Sequence, residues 1–235
     1  MSYLILGSGG LGGALAHELA SRGEEWLLAG RQLPKGLDPA CYFPLQEVDP
    51  LSFDALFTLY DTATLPNVVI NTIGLLHDLS HMPERRVEEV TPQWLGESLQ
   101  ANAWPHLALG ASLSRLMTFE SRLWLCTLSD LAGSLGEAHR EPARRYSYRM
   151  SKAALNMGSR ILAAEWAERF PGAGVITVHP GLMDTPMQQP FRQEIDPGLL
   201  QDPALVAPLL LDLLASLNQA HSGRFVDLRG QPLPW

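Results

Sequence analysis

Short apolar runs of strand length alternate with longer segments of helical periodicity along the chain, without internal repeats or a long linker. This alternation predicts βαβ units and therefore a parallel sheet with right-handed crossovers. Seven strands are predicted, at residues 3–6, 25–31, 66–71, 123–128, 174–179 and 223–227, with a short third strand that closes at Val48 and Asp49. We therefore predict an α/β fold with a doubly wound, mostly parallel, Rossmann-like sheet, in a single domain that spans residues 1–235.

Glycines and polar residues stand where several predicted strands end. In open parallel sheets, ligands bind in the crevice beyond the carboxyl ends of the strands. The residues at such ends are Gly7, Arg31, Asp49, Asn71, Ser129 and Pro180. Their shared position predicts one functional crevice along this edge of the sheet.

A glycine-rich turn follows the first predicted strand and precedes a helical pattern. Gly7, Gly9 and Gly12 fit the G-x-G-x-x-G motif in the strand–turn–helix context that this motif requires. Residues without a Cβ allow a tight turn and let the backbone approach a pyrophosphate, which the helix N-terminus attracts. The turn could serve packing alone, but its context favours a dinucleotide site at Gly7, Gly9, Gly10, Leu11 and Gly12.

The second predicted strand ends in a cation, about twenty residues beyond the glycine turn. An acidic residue at this position would bind the ribose hydroxyls of NAD. Arg31 stands there instead, and its planar guanidinium suits a 2′-phosphate; Lys35 adds positive charge nearby. A surface arginine after a strand is the alternative. We predict NADP(H) as cofactor in preference to NAD(H).

Tyr148 and Lys152 are four residues apart and share one face if this segment is helical. A free tyrosine titrates near pH ~10 and exchanges protons poorly at neutrality. A nearby ammonium favours the phenolate, lowers the tyrosine pKa and makes the hydroxyl a useful general acid or base. Such a pair is often only two solvated neighbours, so its weight comes from the glycine turn in the same chain.

Composition narrows the class of partner. The chain has 235 residues, of which 46% are apolar, so it can bury a substantial core. The net charge of −8 argues against nucleic acid or an anionic membrane as a general partner. No apolar run reaches membrane-spanning length, and we expect no secretory leader before the first strand. Cys41 and Cys126 form no redox or metal motif, which favours reduced thiols in the cytoplasm.

Two further patterns concern metals and assembly. His77 and His81 are four residues apart, but no cysteine or carboxylate cluster completes a zinc site, so no metal is predicted. The segment after Lys152 is apolar over much more than one stripe, which is typical of a helix buried on several sides. A thick single-chain core would explain it, but we predict a homodimer or homotetramer. The apolar residues are Ala153, Ala154, Leu155, Met157, Ile161, Leu162, Ala163, Ala164 and Trp166.

Together these motifs resemble those of the short-chain dehydrogenase/reductase family, over nearly the whole chain. The resemblance is carried by the glycine turn, Asp49, residues 71–74 (Asn-Thr-Ile-Gly), Asn102, Ser129, Tyr148-x-x-x-Lys152, Pro180-Gly181 and Thr185. Within the family the chain looks most like the C-factor-like branch, on residues 70–77, 146–148 and 230–235. These motifs are specific for the family and say little about the substrate.

The resemblance implies a role for each matching residue. Tyr148 would protonate a carbonyl oxygen or accept a hydroxyl proton, and Lys152 would lower the tyrosine pKa and hold the nicotinamide ribose. Ser129 would orient the substrate oxygen, and Asn102 would support a relay water near the lysine. Asp49 would contact the adenine, and Gly74 would leave room for the cofactor. The remaining cofactor contacts implied are Asn71, Tyr148, Lys152, Pro180, Gly181 and Thr185.

The serine position has alternatives. A shift of one residue would place Asp130 in the catalytic position, and Ser134 is a third candidate. An ionised aspartate cannot donate a hydrogen bond to a carbonyl oxygen, and its charge opposes a phenolate. We therefore favour Ser129 at this stage.

The function predicted from the sequence is that of an NADP(H)-dependent oxidoreductase. It would transfer a hydride between the nicotinamide and a small carbonyl or alcohol substrate, with Tyr148 as general acid/base. The alternative is a catalytically idle dinucleotide sensor or a signalling protein on the same scaffold.

Overall fold

Seven parallel strands form one sheet in the computed structural model, which describes residues 1–137 and 144–235. Their order across the sheet is β3-β2-β1-β4-β5-β6-β7. The order in which strands are added therefore reverses between β1 and β4, and doubly wound sheets open a crevice at such a point. The predicted α/β, Rossmann-like architecture is confirmed. The strands are β1 (Ser2–Leu6), β2 (Glu25–Gly30), β3 (Tyr42–Pro44), β4 (Val68–Asn71), β5 (Trp124–Leu128), β6 (Gly174–His179) and β7 (Arg224–Asp227).

Helices cover both faces of this sheet. On one face, α1 (Gly10–Arg22) and α6 (Pro203–Ala215) pack on an apolar cluster that includes Ile5, Ile70 and Ile176. On the other face, α2 (Pro50–Phe57), α4 (Trp104–Leu116) and α5 (Tyr146–Arg169) pack on a second cluster. The helix α3 (Pro92–Asn102) lies against α4 and α5. Because helices bury the apolar strands from both sides, a functional site is expected at the polar ends of the strands.

The third strand differs from its prediction. We expected it to close at Val48 and Asp49, but β3 is an edge strand that ends at Pro44. Proline has no N–H to give to a ladder, and it is tolerated at such strand ends and edges. Asp49 instead precedes α2, and its carboxylate accepts a hydrogen bond of 2.7 Å from the Ser52 backbone N–H. Asp49 is therefore a helix cap and not a strand residue.

A break between α3 and α4 fixes the position of Asn102. Pro105 stands in the first turn of α4 and lacks the N–H that would continue the ladder of α3. As a result α3 ends at Asn102, whose side chain is buried at the helix end.

The segment after β6 folds back over the start of α5. Met187, Phe191 and Ile195 pack with Leu76 and Tyr148 in a small third apolar cluster. In the described part of the chain, no helix combines the length and apolar character needed to cross a membrane.

Candidate active site

The glycine turn between β1 and α1 is held by close backbone contacts. A Cβ at Gly12 would lie 1.8 Å from the Gly7 carbonyl oxygen, which no neighbour can relieve because the clash is with backbone. Gly7 has φ +97°, where side chains other than glycine are strained. Leu11 is buried under the turn. Gly7 and Gly12 are thus required by the turn itself.

Gly9 is different, because a Cβ there would meet no atom within 4 Å. It caps α1, whose first turn carries no acidic residue and receives no side-chain cap. The open space at Gly9 and the uncapped N–H groups of α1 fit a phosphate group. The structure thus offers a cradle that matches the pyrophosphate of a dinucleotide.

Arg31 follows β2 directly and is exposed, as is Lys35. Ser8 belongs to the glycine turn and lies against Gly30 at the end of β2, and its hydroxyl accepts a hydrogen bond from the Gln32 N–H. Among the described residues, neither Arg31 nor Lys35 forms an ion pair. An exposed guanidinium at this strand end remains available for a phosphate.

Residues after β4 line the next part of the crevice. Asn71 is buried, and its amide Nδ2 has no hydrogen-bond partner in the described structure. A Cβ at Gly74 would lie 3.7 Å from Lys152 Nζ and 3.3 Å from Asn102 Oδ1. The glycine therefore leaves space beside the lysine and Asn102.

Asn102 fastens the segment after β4 to the helices. Its Oδ1 accepts from the Leu75 N–H at 2.7 Å, and its Nδ2 donates to the Leu75 carbonyl at 2.8 Å. The same Nδ2 lies 3.0 Å from the Ser151 hydroxyl oxygen. The side chain is thus fully engaged within the protein and positions the backbone around Gly74.

Tyr148 and Lys152 share one face of α5, as their spacing predicted, and both are buried. The Lys152 ammonium donates to the Leu128 carbonyl at the end of β5, at 3.1 Å, and lies 5.9 Å from the centroid of the Tyr148 ring. Burial lowers the pKa of Lys152 to about 8, and the negative charge of Asp130 opposes part of that change.

The start of α5 is held by a buried carboxylate that the sequence analysis did not identify. Glu84 accepts hydrogen bonds from the Ser147 N–H and from the Ser147 hydroxyl, and its carbonyl accepts from the Arg145 N–H at 2.6 Å. Arg145 precedes the helix with φ 61°, a left-handed conformation. Glu84 thus fixes the helix one residue before Tyr148. No local pattern indicates this contact, because 63 residues separate its partners.

Asp130, rather than Ser129, lies beside the tyrosine. The Tyr148 hydroxyl donates to Asp130 Oδ2 at 3.0 Å. The Ser129 hydroxyl is buried and donates to Asn156 Oδ1 at 2.6 Å, on the side of α5. Ser134 is buried too, and its oxygen accepts from the Glu137 N–H. The geometry therefore favours the alternative in which Asp130, one residue after Ser129, occupies the catalytic position.

His179 is a second polar group at this place. It ends β6, and its Nδ1 lies 3.9 Å from Asp130 Oδ1. This nitrogen is buried and has no hydrogen-bond partner among the described residues. Its position just before Pro180 at a strand end was visible in the sequence, but its neighbour Asp130, two residues after β5, was not.

Thr185 and the segment from Pro180 close the crevice from the other side. A Cβ at Gly10 would lie 2.6 Å from Thr185 Cγ2, so the threonine touches the glycine turn. Gly181 has φ +83°, which turns the chain after β6. Pro180 is buried, and Thr185 is partly exposed. The structure thus brings Thr185, which follows β6, into contact with the glycine turn that follows β1.

The surface around His81 differs from its prediction in one respect. His81 lies with the carboxylates of Asp78 and Glu97, and their ligand atoms are within 4.8 Å of one another. Asp78 already accepts from the N–H groups of Ser80 and His81 in a turn. His77 faces elsewhere, toward the Met187 carbonyl. An exposed acidic cluster of this kind does not by itself define a metal site.

Comparison with known proteins places this geometry in context. No family model matches the chain. Over 90 residues it is 38% identical to "C-signal" from Myxococcus xanthus, a match that covers 38% of this chain and 49% of that protein. The match therefore spans about half the length of that curated relative.

Solved structures match over the whole chain. The carbonyl reductase Sniffer of D. melanogaster is 22% identical, with 100% of this chain and 99% of that chain covered and a TM-score of 0.81. An NADPH-bound carbonyl reductase from chicken fatty liver is 21% identical, with coverage of 100% and 98% and a TM-score of 0.79. A short-chain dehydrogenase/reductase from Burkholderia multivorans with bound NADP, described as putative, is 23% identical, with coverage of 100% and 99% and a TM-score of 0.76.

These similarities confirm the fold and the resemblance inferred from the motifs. The chain has the short-chain dehydrogenase/reductase fold. Within that fold, its sequence resembles the C-factor-like branch.

Proposed function

We propose that the protein is an NADP(H)-dependent oxidoreductase of the short-chain dehydrogenase/reductase type. It transfers a hydride between the nicotinamide and a small carbonyl or alcohol substrate. The observation that carries the proposal is the placement of Tyr148 and Lys152 on one face of α5, at the end of β5 and beside Gly74. The carbonyl reductases that share the fold support it.

In this proposal the residues bind, orient and move a proton. Tyr148 gives its hydroxyl proton to the substrate oxygen in reduction and takes it back in oxidation. The buried Lys152 ammonium favours the anionic form of the Tyr148 oxygen. Asn102 positions the backbone around Gly74 and holds the lysine side of the crevice. The Ser129 hydroxyl is engaged with Asn156, so the proposal gives it no substrate contact.

The cofactor assignment rests on the crevice itself. When bound, the nicotinamide supplies the hydride. The open position at Gly9 and the free N–H groups of α1 hold the pyrophosphate, and Arg31 with Lys35 holds the 2′-phosphate. In this proposal Asn71, Gly74, Pro180, Gly181 and Thr185 line the remaining path, and Asp49, which precedes α2, contacts the adenine. Related folds with bound NADP or NADPH support this choice.

The cofactor half of the proposal is tested by fluorescence titration with NADPH and NADH. We expect the protein to bind NADPH at least about tenfold more tightly, since a bidentate guanidinium–phosphate contact is a strong charge-assisted pair. Arg31→Ser removes that preference. Arg229→Ser changes an exposed arginine beyond β7 and serves as control. Equal binding of both nucleotides by the unaltered protein would contradict the assignment to NADP(H).

The catalytic half is tested with a panel of small ketones and aldehydes. Tyr148→Phe removes the acidic hydroxyl, so turnover falls by about 10²–10⁴ while NADPH binding persists. Tyr146→Phe removes another hydroxyl from the same helix two residues earlier and leaves turnover within a small factor. Equal loss in both variants would assign the effect to the helix and not to the proton.

A sensor or signalling protein on the same scaffold is the second candidate. It is favoured by the contact of the Tyr148 hydroxyl with a carboxylate, and by the engagement of Ser129 away from it. The sequence similarity to C-signal points in the same direction. Tight binding of NADPH without turnover across the panel would favour this candidate.

We also propose that the protein is a homodimer or homotetramer in the cytoplasm. Five apolar side chains of α4 and α5 are exposed, and we name them the α4–α5 face: Trp104, Leu107, Met150, Met157 and Ile161. Large exposed apolar patches mark association surfaces. Cys41 and Cys126 are both free thiols, which fits a reducing compartment.

A further inference from the structure

Asp130 brings an unexpected chemistry to the place where a substrate oxygen would lie. Its Oδ2 is 3.0 Å from the Tyr148 hydroxyl oxygen, so any group that reacts at Tyr148 also meets this carboxylate. The other oxygen, Oδ1, accepts from the Ala132 N–H at 3.0 Å. Both oxygens therefore act as acceptors in the structure, as expected of an aspartate in its charged form.

A neutral ketone is a poor match for such a neighbour. Its oxygen gains negative charge during reduction and needs donors around it. Asp130 can offer no donor while it is charged, and its charge opposes negative charge on the oxygen. A positively charged reacting group has the opposite requirement, because a carboxylate stabilises it directly.

Among the described side chains near the Tyr148 hydroxyl, Asp130 supplies the negative charge that can stabilise a cation. Lys152 donates to the Leu128 carbonyl, and the negative charge of Asp130 raises the pKa of Lys152 against the effect of burial. His179 Nδ1, 3.9 Å from Asp130 Oδ1, has no hydrogen-bond partner among the described residues. The side chain of Asp130 is 20% exposed, so solvent-borne ligands can reach it.

We propose that the preferred substrates of this site contain a C=N bond, in the form of a small protonated imine, and that Asp130 is the residue that binds its positive nitrogen. The proposal rests on the proposed oxidoreductase function and specifies its substrate class. It makes Asp130 a specificity-determining residue that touches the substrate.

The reaction balances without an additional reagent. The carbon of the protonated C=N bond gains a hydride from the reduced nicotinamide, which is oxidised by two electrons through the loss of that hydride. The π electron pair of the C=N bond moves onto nitrogen and neutralises its charge. The product is an amine, which then takes a proton from water. Tyr148 hydrogen-bonds the nitrogen and can supply the proton that a neutral imine needs before transfer.

The test compares two molecules of nearly equal shape, the cyclic imine methylpyrroline and the ketone methylcyclopentanone, with NADPH at neutral pH. We expect kcat/KM for the imine to exceed that for the ketone by about tenfold or more, since close charge pairs of this kind couple strongly. Asp130→Ser should reverse the order, because serine can donate to a carbonyl oxygen. Asp130→Asn should lose the imine preference.

A binding measurement complements turnover. Calorimetric titration of the protein–NADP⁺ complex should show that methylpyrrolidine, an ammonium ion at this pH, binds at least about tenfold more tightly than methylcyclopentanol. Both substitutions of Asp130 should abolish that difference. Serine and asparagine oxygens can still accept from the Ala132 N–H, so the turn keeps its cap. Asp196→Asn alters the same kind of capped turn, at the Gly198 N–H, and should change neither measurement.

The outcomes separate the two proposals. Ketone turnover without imine preference, together with ammonium binding that does not depend on Asp130, overturns the substrate class and leaves the oxidoreductase function intact. Binding of NADPH with turnover of neither compound overturns both.

Discussion

The glycine turn contains residues with two different constraints. Gly12 is in contact with the Gly7 carbonyl, so a side chain there displaces backbone. Gly9 has an ordinary φ of −80° and open space around it. Gly12 therefore serves the fold, and Gly9 keeps space free for a ligand.

Paired alanine substitutions separate these roles. Gly12→Ala should lower the free energy of unfolding of the protein without cofactor by more than about 2 kcal/mol, because backbone must move. Gly9→Ala should leave that quantity nearly unchanged and weaken NADPH binding at least about tenfold, because its Cβ enters the phosphate space. Urea unfolding and fluorescence titration measure the two effects. Equal NADPH binding in Gly9→Ala would place the pyrophosphate elsewhere.

The pH dependence of ketone reduction should report Lys152. Burial lowers its pKa to about 8, so the ammonium is present below that pH and is lost as the pH rises through it. We expect kcat/KM to fall above about pH 8. Asp130 raises the pKa of Lys152, so Asp130→Asn should move the fall to lower pH. Initial rates between about pH 6 and 10 measure it, with Asp196→Asn as control. A fall that moves to higher pH would contradict the assigned coupling.

The residues of the site were predictable to different extents. Tyr148 and Lys152 follow from helical spacing alone, because four residues return a side chain to the same face. The choice between Ser129 and Asp130 does not follow, because strand ends leave the periodic pattern. Which of the two successive residues meets the Tyr148 hydroxyl depends on how the chain turns at the end of β5. The sequence preference for Ser129 rested on its donor chemistry, and only the fold brings the carboxylate to the tyrosine.

At the level of elements, the N-terminus of α5 depends on a contact from a distant segment. Glu84 is 3% exposed and accepts hydrogen bonds from Ser147, next to the catalytic tyrosine. A carboxylate at this end also interacts favourably with the helix dipole. The helix that carries the proton donor is thus fixed from outside its own sequence.

Removal of this anchor should affect both stability and turnover. Glu84→Ala leaves the Ser147 N–H without its partner and should lower the free energy of unfolding by about 1–3 kcal/mol. Because the first turn of α5 loosens, kcat should fall more than NADPH affinity. Glu88→Ala, at an exposed position of the same segment, is the control. Unchanged unfolding of Glu84→Ala in urea would show that the helix start is held by other contacts.

A buried histidine couples α4 to its neighbours and predicts acid sensitivity. His106 lies between the Thr127 hydroxyl on β5, at 2.7 Å, and the Ser159 hydroxyl on α5, at 3.2 Å. Burial lowers its pKa to about 4 from 6.5. As the pH falls below 6.5, the unfolded chain therefore gains a proton that the folded protein refuses until about pH 4. The stability that His106 contributes is therefore fully present above pH 6.5 and is lost as the pH falls from 6.5 to about 4.

Because of His106, the free energy of unfolding should fall by about 2 kcal/mol between pH 7.5 and pH 5. His106→Gln stays neutral, so it should be less stable at pH 7.5 but should lose less on acidification. His17→Gln, at an exposed histidine of α1, should show the dependence of the unaltered protein. Urea unfolding at the two pH values measures all three proteins. An unchanged slope in His106→Gln would assign the acid sensitivity to other groups.

The elements themselves were largely predictable, with one instructive exception. The boundaries of β6 agree with the prediction at residues 174–179, because a doubly buried strand is apolar throughout. The prediction for β3 was wrong because an edge strand carries a weak apolar signal. Asp49 follows a helix-capping pattern, with Pro50 as the first helical residue, and that pattern was the better guide.

At the level of the whole molecule, the α4–α5 face predicts association. Met157 and Ile161 are 59% and 62% exposed in the single chain, although the same helix buries Leu155, Leu162 and Trp166. One side of α5 thus packs on the sheet, and the other presents apolar surface to solvent. A second copy of the chain could bury this surface.

Light scattering at micromolar concentration should report a dimer or tetramer. The double substitution Met157→Lys with Ile161→Lys should give a monomer with unchanged circular dichroism, since both side chains are outside the core. Leu205→Lys places the same charge on an exposed apolar residue of α6 and should leave the assembly intact. A monomeric unaltered protein would contradict the proposed assembly.

The sequence by itself determined the class of fold, the glycine turn and the tyrosine–lysine pair. These depend on periodicity and on local backbone geometry, which neighbouring residues specify. The tertiary structure alone decided that Asp130 meets Tyr148, that Glu84 holds α5, and that His179 faces the same carboxylate. The reason is physical: contacts between distant segments follow from how strands end and helices pack across the sheet, and no local pattern encodes that placement.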